Sequence, residues 1–466
     1  MKHREEKDPL GAKEVPGEVL WGIQTLRAME NFPVSGVPNH PEIWRAYAEI
    51  KMACAKANMD VGALDERRGK AIISAIEEIL NGKHWDNFVV DRFQAGAGTS
   101  TNMNVNEVIA NRALEIIGEE KGRYDIISPN DHVNMGQSTN DTFPSASHIA
   151  VYRLSGDLIR VLKELLLAFK RKGEEFSDVM KSGRTHLIDA MPLTLGMEFT
   201  AYAKTLERHL SDITRAREGL LELPLGGNAV GTGINTHPDF QKLVFHYLQE
   251  TTGIPFRPNP IPIEGLQSPG RILSLASAVN NLAIELGRIA NDLRLLSSGP
   301  TTGLGEINLP AVQPGSSIMP GKVNPVMAEC LNMVCYHIEG LYYSVARASG
   351  AGQLELNVMF PLIANETLEM INLLINYLPV FRAKAIEGIV ANKERCYGYL
   401  ERNPSLATLL VPKIGYLRAA ELAKESLERG RPVKELAVEK GILTHEEAEE
   451  IFSPKNILGN FRGHPE

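Results

Sequence analysis

From Ile272 onward the apolar residues fall at Ile272, Leu275, Val279, Leu282, Leu286, Ile289, Leu293 and Leu296, in steps that alternate three and four. A repeat of this kind keeps one stripe of an α-helix facing its neighbours, so the segment predicts a long bundle helix. Polar residues on its other faces argue against a membrane span. A second seam runs Val151, Leu154, Leu158, Val161, Leu165, Ala168, and a less regular third covers roughly 199–220. Two more helical patterns cover about 326–348 and 363–389. Five helices longer than the usual ~11–12 residues predict an elongated bundle. Single helices of this length bury little of their surface within one chain, so a core shared among several subunits is expected.

On either side of the bundle the pattern changes. Residues 1–140 mix short helical stretches, at 42–60 and 65–80, with polar, glycine-dotted loops. Residues 392–466 read as a small helical cap, in which Thr444 followed by Glu447 is a capping-box signature. Convincing strands are few, so the class is all-α. A chain of 466 residues exceeds one ordinary core, and three domains are expected, at 1–140, 141–391 and 392–466.

A net charge of −8 argues against a nucleic-acid partner, which needs a concentrated positive surface. No run of about 18 apolar residues predicts a membrane span, and the charged start, Met1 to Leu10, shows no signal peptide. Cys54, Cys330, Cys335 and Cys396 have no metal-ligand spacing. They read as buried reduced thiols, and the expected location is cytoplasmic.

Four polar segments interrupt the helices, and chemistry belongs in such places. They are Gly96-Ala97-Gly98-Thr99-Ser100-Thr101-Asn102-Met103-Asn104; Pro129-Asn130-Asp131-His132 running on to Gln137-Ser138-Thr139-Asn140-Asp141; Gly183-Arg184-Thr185-His186; and Gly315-Ser316-Ser317-Ile318-Met319-Pro320-Gly321-Lys322-Val323-Asn324-Pro325. Hydroxyls, amides, a few cations and glycines that admit backbone N–H groups suit a small carboxylate better than a sugar or a base. Plainer readings stand beside this one: the Ser, Thr and Asn residues at 98–100 and 138–140 also suit helix N-caps, and His186 alone reads as an ordinary part-buried histidine. Gly315 and Gly321 enclose five residues and Val323 follows Lys322, so the segment is not a phosphate-binding P-loop. Gly226-Gly227-Asn228-Ala229-Val230-Gly231-Thr232-Gly233 follows a helix instead of a strand, against a dinucleotide site. No HExxH or related cluster occurs, so neither a metal nor another cofactor is expected.

The segment from Gly315 to Pro325 resembles the signature loop of the aspartase/fumarase superfamily along its whole length. Gly98-Thr99 with Asn102-Met103-Asn104, Gln137-Ser138-Thr139-Asn140-Asp141, Arg184-Thr185-His186 and Gly231-Thr232-Gly233 resemble further family blocks in family order. The resemblance implies an all-α, three-domain homotetramer. Its central helices would form a twenty-helix core, and each active site would draw loops from three subunits.

Two branches of the superfamily compete, the one that removes ammonia from aspartate and the class II fumarases that remove water from malate. Thr139, where fumarases usually carry Ser, the run Asn291 to Pro300 and the run Ala351 to Met359 resemble the aspartate branch, as does Ser128 where fumarases resemble one another in having His at a secondary dicarboxylate site. Pro320-Gly321-Lys322 and Leu225-Gly226-Gly227 fit either branch. A non-catalytic helical scaffold is the alternative from another class, and an adenylosuccinate-cleaving relative is a third. Ile188, Met197, Glu339-Gly340-Leu341 and Phe360 depart from the usual family residues, and Ile188 and Phe360 are expected to reshape the pocket.

Carried onto this chain, the resemblance implies that Ser316 is the base that takes the C3 proton of a four-carbon dicarboxylate. Lys322 and Asn324 would bind a substrate carboxylate. Thr185 and His186 would grip the carboxylate that becomes an aci dianion, with Glu329 as the acidic partner of His186. Thr99, Ser138, Thr139 and Asn140 would contact the other carboxylate and the amino group. The product would be fumarate.

Overall fold

The structure, a computed structural model, describes residues 3–458. It is mostly helical, as the heptad seams require. Helices α1 (Ile23–Asn31), α2 (Pro41–Asp60), α3 (Glu66–Leu80) and α4 (Thr99–Ile116) precede the bundle. The long helices are α5 (Thr139–Glu175), α6 (Leu195–Glu218), α9 (Gly270–Leu296), α10 (Val326–Ser349) and α11 (Phe360–Phe381); α7 (Phe240–Thr252) and α8 (Pro262–Gln267) lie between them in sequence. Six shorter helices follow: α12 (Lys393–Glu401), α13 (Val411–Ile414), α14 (Tyr416–Arg429), α15 (Val433–Glu439), α16 (His445–Ile451) and α17 (Pro454–Ile457). The capping box at the start of α16 forms as its spacing predicts, with Thr444 and Glu447 exchanging side-chain and backbone hydrogen bonds.

The chain forms two compact units, each discontinuous in sequence. The first comprises residues 3–159, 211–281 and 337–375; the second 160–210, 282–336 and 376–458. The boundary falls inside each of the five long helices. In the first unit α2 packs on α3 and α7, and α4 on α1 and α3. In the second, α14 lies against the turn at Pro404–Leu410 and α12 against the strand that begins at Met180. A small core of the second unit gathers Leu400, Leu410, Leu422, Val433 and Leu436.

The α9 seam is buried within the chain: Ile272, Leu275, Val279, Leu282, Leu286, Ile289 and Leu293 have no exposed surface. The expectation that so long a helix buries little inside one chain therefore fails for this stripe. Apolar groups left in solvent lie on other faces, among them Ile284 on α9 and Met333, Tyr336 and Tyr343 on α10. The last long helix also ends sooner than its pattern predicts. Its α-helical part stops at Phe381 and gives way to a π-helical turn at Arg382–Ile386, two residues after Pro379, whose missing N–H breaks the ladder.

Two hairpins escaped the hydrophobic pattern. β1 (His3–Asp8) pairs antiparallel with β2 (Gly11–Pro16), and β3 (Met180–Thr185) with β4 (Ile188–Thr194). The third polar segment is thus the end of a strand and the tip of a hairpin, not a loop capping a helix. Two-residue strands β5 (Glu222–Leu223) and β6 (Arg257–Pro258), and β7 (Ile307–Asn308) and β8 (Val390–Ala391), add short pairings. All four cysteines carry free thiols; Cys54, Cys335 and Cys396 are buried, whereas Cys330 is only half-buried, against expectation. Among the described residues no helix is long and apolar enough to cross a membrane.

Candidate active site

In the first unit, two segments hold Thr99 and the trio Ser138, Thr139 and Asn140. Gly98 has φ +85°, and a Cβ there would run into the ring of Phe143. A glycine lets the chain turn sharply into α4 directly over that ring. Since Gly98 has no side chain with which to cap the helix, Gln94 does it: its Oε1 accepts from Thr101 N at 2.9 Å and Thr101 Oγ1 at 2.6 Å. Thr99 is left exposed at the head of α4. It lines a cavity of about 530 Å³ with Asp8, Leu10, Arg27, Met103 and Asn130. Arg27 grips Asp8 through two hydrogen bonds, of 2.7 and 2.9 Å, and this holds the Asp8 carboxyl below its usual range.

Ser138 caps α5: its Oγ accepts from Asn140 N at 3.2 Å. The cap reading and the ligand reading are compatible here, because the hydroxyl still has its own proton to donate. Asp141, fully buried, closes the turn by accepting from Ser138 N at 2.9 Å. Burial pushes its carboxyl up to about 6. Thr139 is buried and Asn140 half-buried.

These two segments are bonded to each other through Lys51 of α2, which is buried and whose Nζ donates to Asn102 Oδ1 at 2.8 Å and Asn134 Oδ1 at 3.0 Å. Asn134 Nδ2 in turn donates to Gln137 O at 3.1 Å. Burial pushes the Lys51 ammonium down to about 7. Neither Lys51 nor Asp141 was among the expected site residues. Asp141 had a readable signal, since Ser138-x-x-Asp141 has capping-box spacing. Lys51 had none: a lysine in a helical pattern normally reads as a solvent-facing residue.

Two further residues singled out by the sequence lie in this unit. Ser128 uses its Oγ to accept from Asp131 N at 3.0 Å, so it caps the π-helical turn at Pro129–Val133. Phe360 is fully buried, so it supports the fold around α11 instead of presenting a ring to a pocket.

In the second unit the β3–β4 hairpin carries Thr185 and His186 at its tip. Thr185 pairs with Ile188, which leaves a two-residue turn of His186 (φ 55°) and Leu187 (φ 61°). Positive φ at both positions is the type I′ geometry, which normally takes Asn and Gly. A branched Leu in this region is strained, and strain of this sort gathers at working sites. The hairpin is anchored deeply. Glu306, with no exposed surface, accepts from Arg184 at 2.8 and 3.1 Å and pairs with buried Lys181 at 2.8 Å. Lys181 also reaches both oxygens of Glu198, and Asn403 ties Ser182 Oγ and Ala190 O together. The rigid stem thrusts Thr185, His186, Leu187 and Ile188 into solvent. Ile188 is thus an apolar group beside the expected carboxylate grip.

The fourth segment is a loop held closed at its neck. Ser316 Oγ accepts from Ile318 N at 3.3 Å and Met319 N at 3.0 Å. Two N–H groups aimed at one hydroxyl oxygen favour its deprotonated form. Gly315 leaves no room for a side chain, since a Cβ would strike the Lys322 carbonyl. Lys322 is exposed, and Glu329 lies half-buried in the first turn of α10. Within the chain His186 and Glu329 form no hydrogen bond with each other. Ser316, Lys322 and Asn324 are brought together by the loop. Thr185 and His186 sit on the hairpin.

The polar turns of this mostly helical chain present hydroxyl, amide and ammonium groups, a donor set that suits a small carboxylate. The family model described as lyase matches residues 11–340, and that described as fumarase C C-terminus matches 406–459; the chain belongs to this lyase family, the aspartase/fumarase superfamily. It is 46% identical to an aspartate ammonia-lyase from Bacillus sp. over 97% of this chain and 96% of that one. A crystal structure of fumarate lyase:delta crystallin from Brucella melitensis bound to cobalt superposes with a TM-score of 0.95 at 45% identity, covering 98% of this chain and 100% of that one. Recombinant class II fumarase from Schistosoma mansoni gives a TM-score of 0.95 at 36% identity, over 98% and 99% of the two chains.

Proposed function

We propose that the protein is an aspartate ammonia-lyase, converting L-aspartate reversibly to fumarate and ammonia. The observation that carries the chemistry is the pair of backbone N–H groups on Ser316 Oγ. The proton at C3 of aspartate is very weakly acidic, and a serine is a poor base at its free pKa. Donors already in place offset both difficulties, because they need no reorganisation as charge develops. Ser316 takes the C3 proton and the electrons move into the neighbouring carboxylate, giving an aci dianion held by Thr185 and His186. Those electrons then form the C2–C3 double bond while the C–N pair departs with nitrogen, which leaves as ammonia. Lys322 and Asn324 bind a substrate carboxylate. Thr99, Ser138, Thr139 and Asn140 receive the other carboxylate and the amino group.

In this reading Glu329 meets His186 between subunits and orients its ring. The working form is then a homotetramer with each site built from three subunits, a twenty-helix core and domains at 1–140, 141–391 and 392–466, located in the cytoplasm. Two observations support assembly. In the single chain Lys322 is exposed and Ser316 only half-buried, and Ile284, Met333, Tyr336 and Tyr343 leave apolar surface on α9 and α10 uncovered.

The test is fumarate formation, followed by ultraviolet absorbance, with L-aspartate and L-malate supplied separately. Fumarate from aspartate alone is the expected result. Fumarate from malate alone makes the protein a hydratase, and silence with both points to a different amino-dicarboxylate.

A further inference from the structure

The first turn of α5 is gripped by a carboxylate that the roles above leave unused. Asp141 is fully buried and both its oxygens are taken. Oδ1 accepts from Ser138 N at 2.9 Å; Oδ2 accepts from Gly226 N at 3.0 Å and Asn228 N at 2.9 Å. One side chain therefore clasps two segments remote in sequence, the turn bearing Ser138, Thr139 and Asn140 and the glycine-rich loop at 226–233.

A further hydrogen bond completes the clasp from the other side. Asn140 Nδ2 donates to the carbonyl of Ala229 at 2.8 Å. A carbonyl can only accept, so it selects the NH₂ end of the amide and leaves Oδ1 directed elsewhere. The two ends of the amide are opposite in character. An ammonium group carries donors only, so it is served by Oδ1 and repelled by NH₂. A hydroxyl, which both donates and accepts, would be satisfied by either. The loop holds Ala229 in place through its own bonds: Gly233 N donates to Gly227 O at 3.0 Å and Asn228 Nδ2 to Ile234 O at 3.1 Å. Its link to α5 runs through Asp141 and Asn140.

We propose that Asp141, acting through the 226–233 loop, is a positioning residue that fixes the Asn140 amide with its oxygen presented, and so makes this corner of the site a subsite for an amino group. The proposal rests on the aspartate ammonia-lyase reading and adds how the amine is recognised. It separates amine binding from carboxylate binding, and the reverse reaction reads the two independently because ammonium and fumarate are varied separately.

The experiment measures amination of fumarate by the wild type, Asp141→Asn and Asn228→Ala proteins, with succinate, a dicarboxylate lacking an amino group, as competitive probe. In Asp141→Asn the new NH₂ cannot accept from a backbone N–H, so the clasp opens. KM for ammonium should rise about tenfold or more while inhibition by succinate moves less than about twofold. Asn228→Ala leaves both Asn140 and Asp141 in place. It removes the bond to Ile234 and strains a residue at φ 57°, so it should shift ammonium binding in the same direction by less. If Asp141→Asn does not assemble, Asn228→Ala decides alone. An unchanged KM for ammonium, or parallel loss of ammonium and succinate binding, overturns the clasp and leaves the aspartate reading standing. A wild type that cannot aminate fumarate overturns that reading and the clasp with it.

Discussion

Asn324 donates its side-chain N–H to the carbonyl of Gly315 across 2.7 Å, joining the two ends of the loop that carries Ser316 and Lys322. The bond spans a segment that is otherwise mostly exposed, and it sets the frame in which Ser316 Oγ meets the N–H groups of Ile318 and Met319. If this frame activates the base, disturbing either the base or the neck of the loop should be costly.

With Ser316 in the proposed role of base, Ser316→Ala should lower kcat by about 10² to 10⁴, with the fold and the melting temperature unchanged. A loss of only a few-fold, measured on protein of verified assembly, would remove serine as the base.

Gly315→Ala tests the neck without touching any reacting group. The added methyl must displace the Lys322 carbonyl, and small displacements of catalytic groups are expensive, so kcat/KM should fall roughly tenfold or more. Circular dichroism should be that of the wild type. Full activity in this variant would show that the loop tolerates an open neck.

Glu306→Gln addresses the stem that carries Thr185 and His186. It leaves Lys181 and Arg184 facing a neutral amide inside the protein, and breaking a buried pair in this way costs about 3–5 kcal/mol. Thermal unfolding should move down by several degrees, with activity per folded molecule reduced as well. A variant as stable as the wild type would mean that Glu198 alone sustains Lys181.

His148 carries the clearest acid sensitivity. Its Nδ1 lies 2.9 Å from the carbonyl of Glu222, so that nitrogen bears a proton. Burial pushes the imidazole down to about 4 from an ordinary 6.5. The unfolded chain thus binds a proton before the folded one does as pH falls. The contribution is intact above pH 6.5 and is lost between there and pH 4, about 3 kcal/mol in all. His148→Asn, which keeps a donor for Glu222, should flatten the dependence of melting temperature on pH between 7 and 5. Parallel curves for the two proteins would exclude His148 as the source.

The long helices were legible because burial imposes a period: Ile272 to Leu296 cannot be moved by one residue without turning the stripe away from its neighbours. The candidate loop was legible where Gly, Ser, Pro and Asn in consecutive residues break the helical pattern, as from Gly315 to Pro325. Where position depends on partners far along the chain, periodicity carries no trace. Lys51 meets Asn102 and Asn134 inside the protein, a pairing visible only once α2 and α4 are packed. Strand β1, His3 to Asp8, is polar throughout, so no alternation with apolar residues marks the β1–β2 hairpin. The turn at His186 and Leu187 lacks the Asn-Gly signal that announces a type I′ geometry.

The boundary between the two units cuts every long helix, and each unit takes its residues from three separate stretches of chain. No single scission can therefore release either unit, and no contiguous segment can be transplanted with one unit intact. A lineage built this way is closed to the exchange of whole modules between genes.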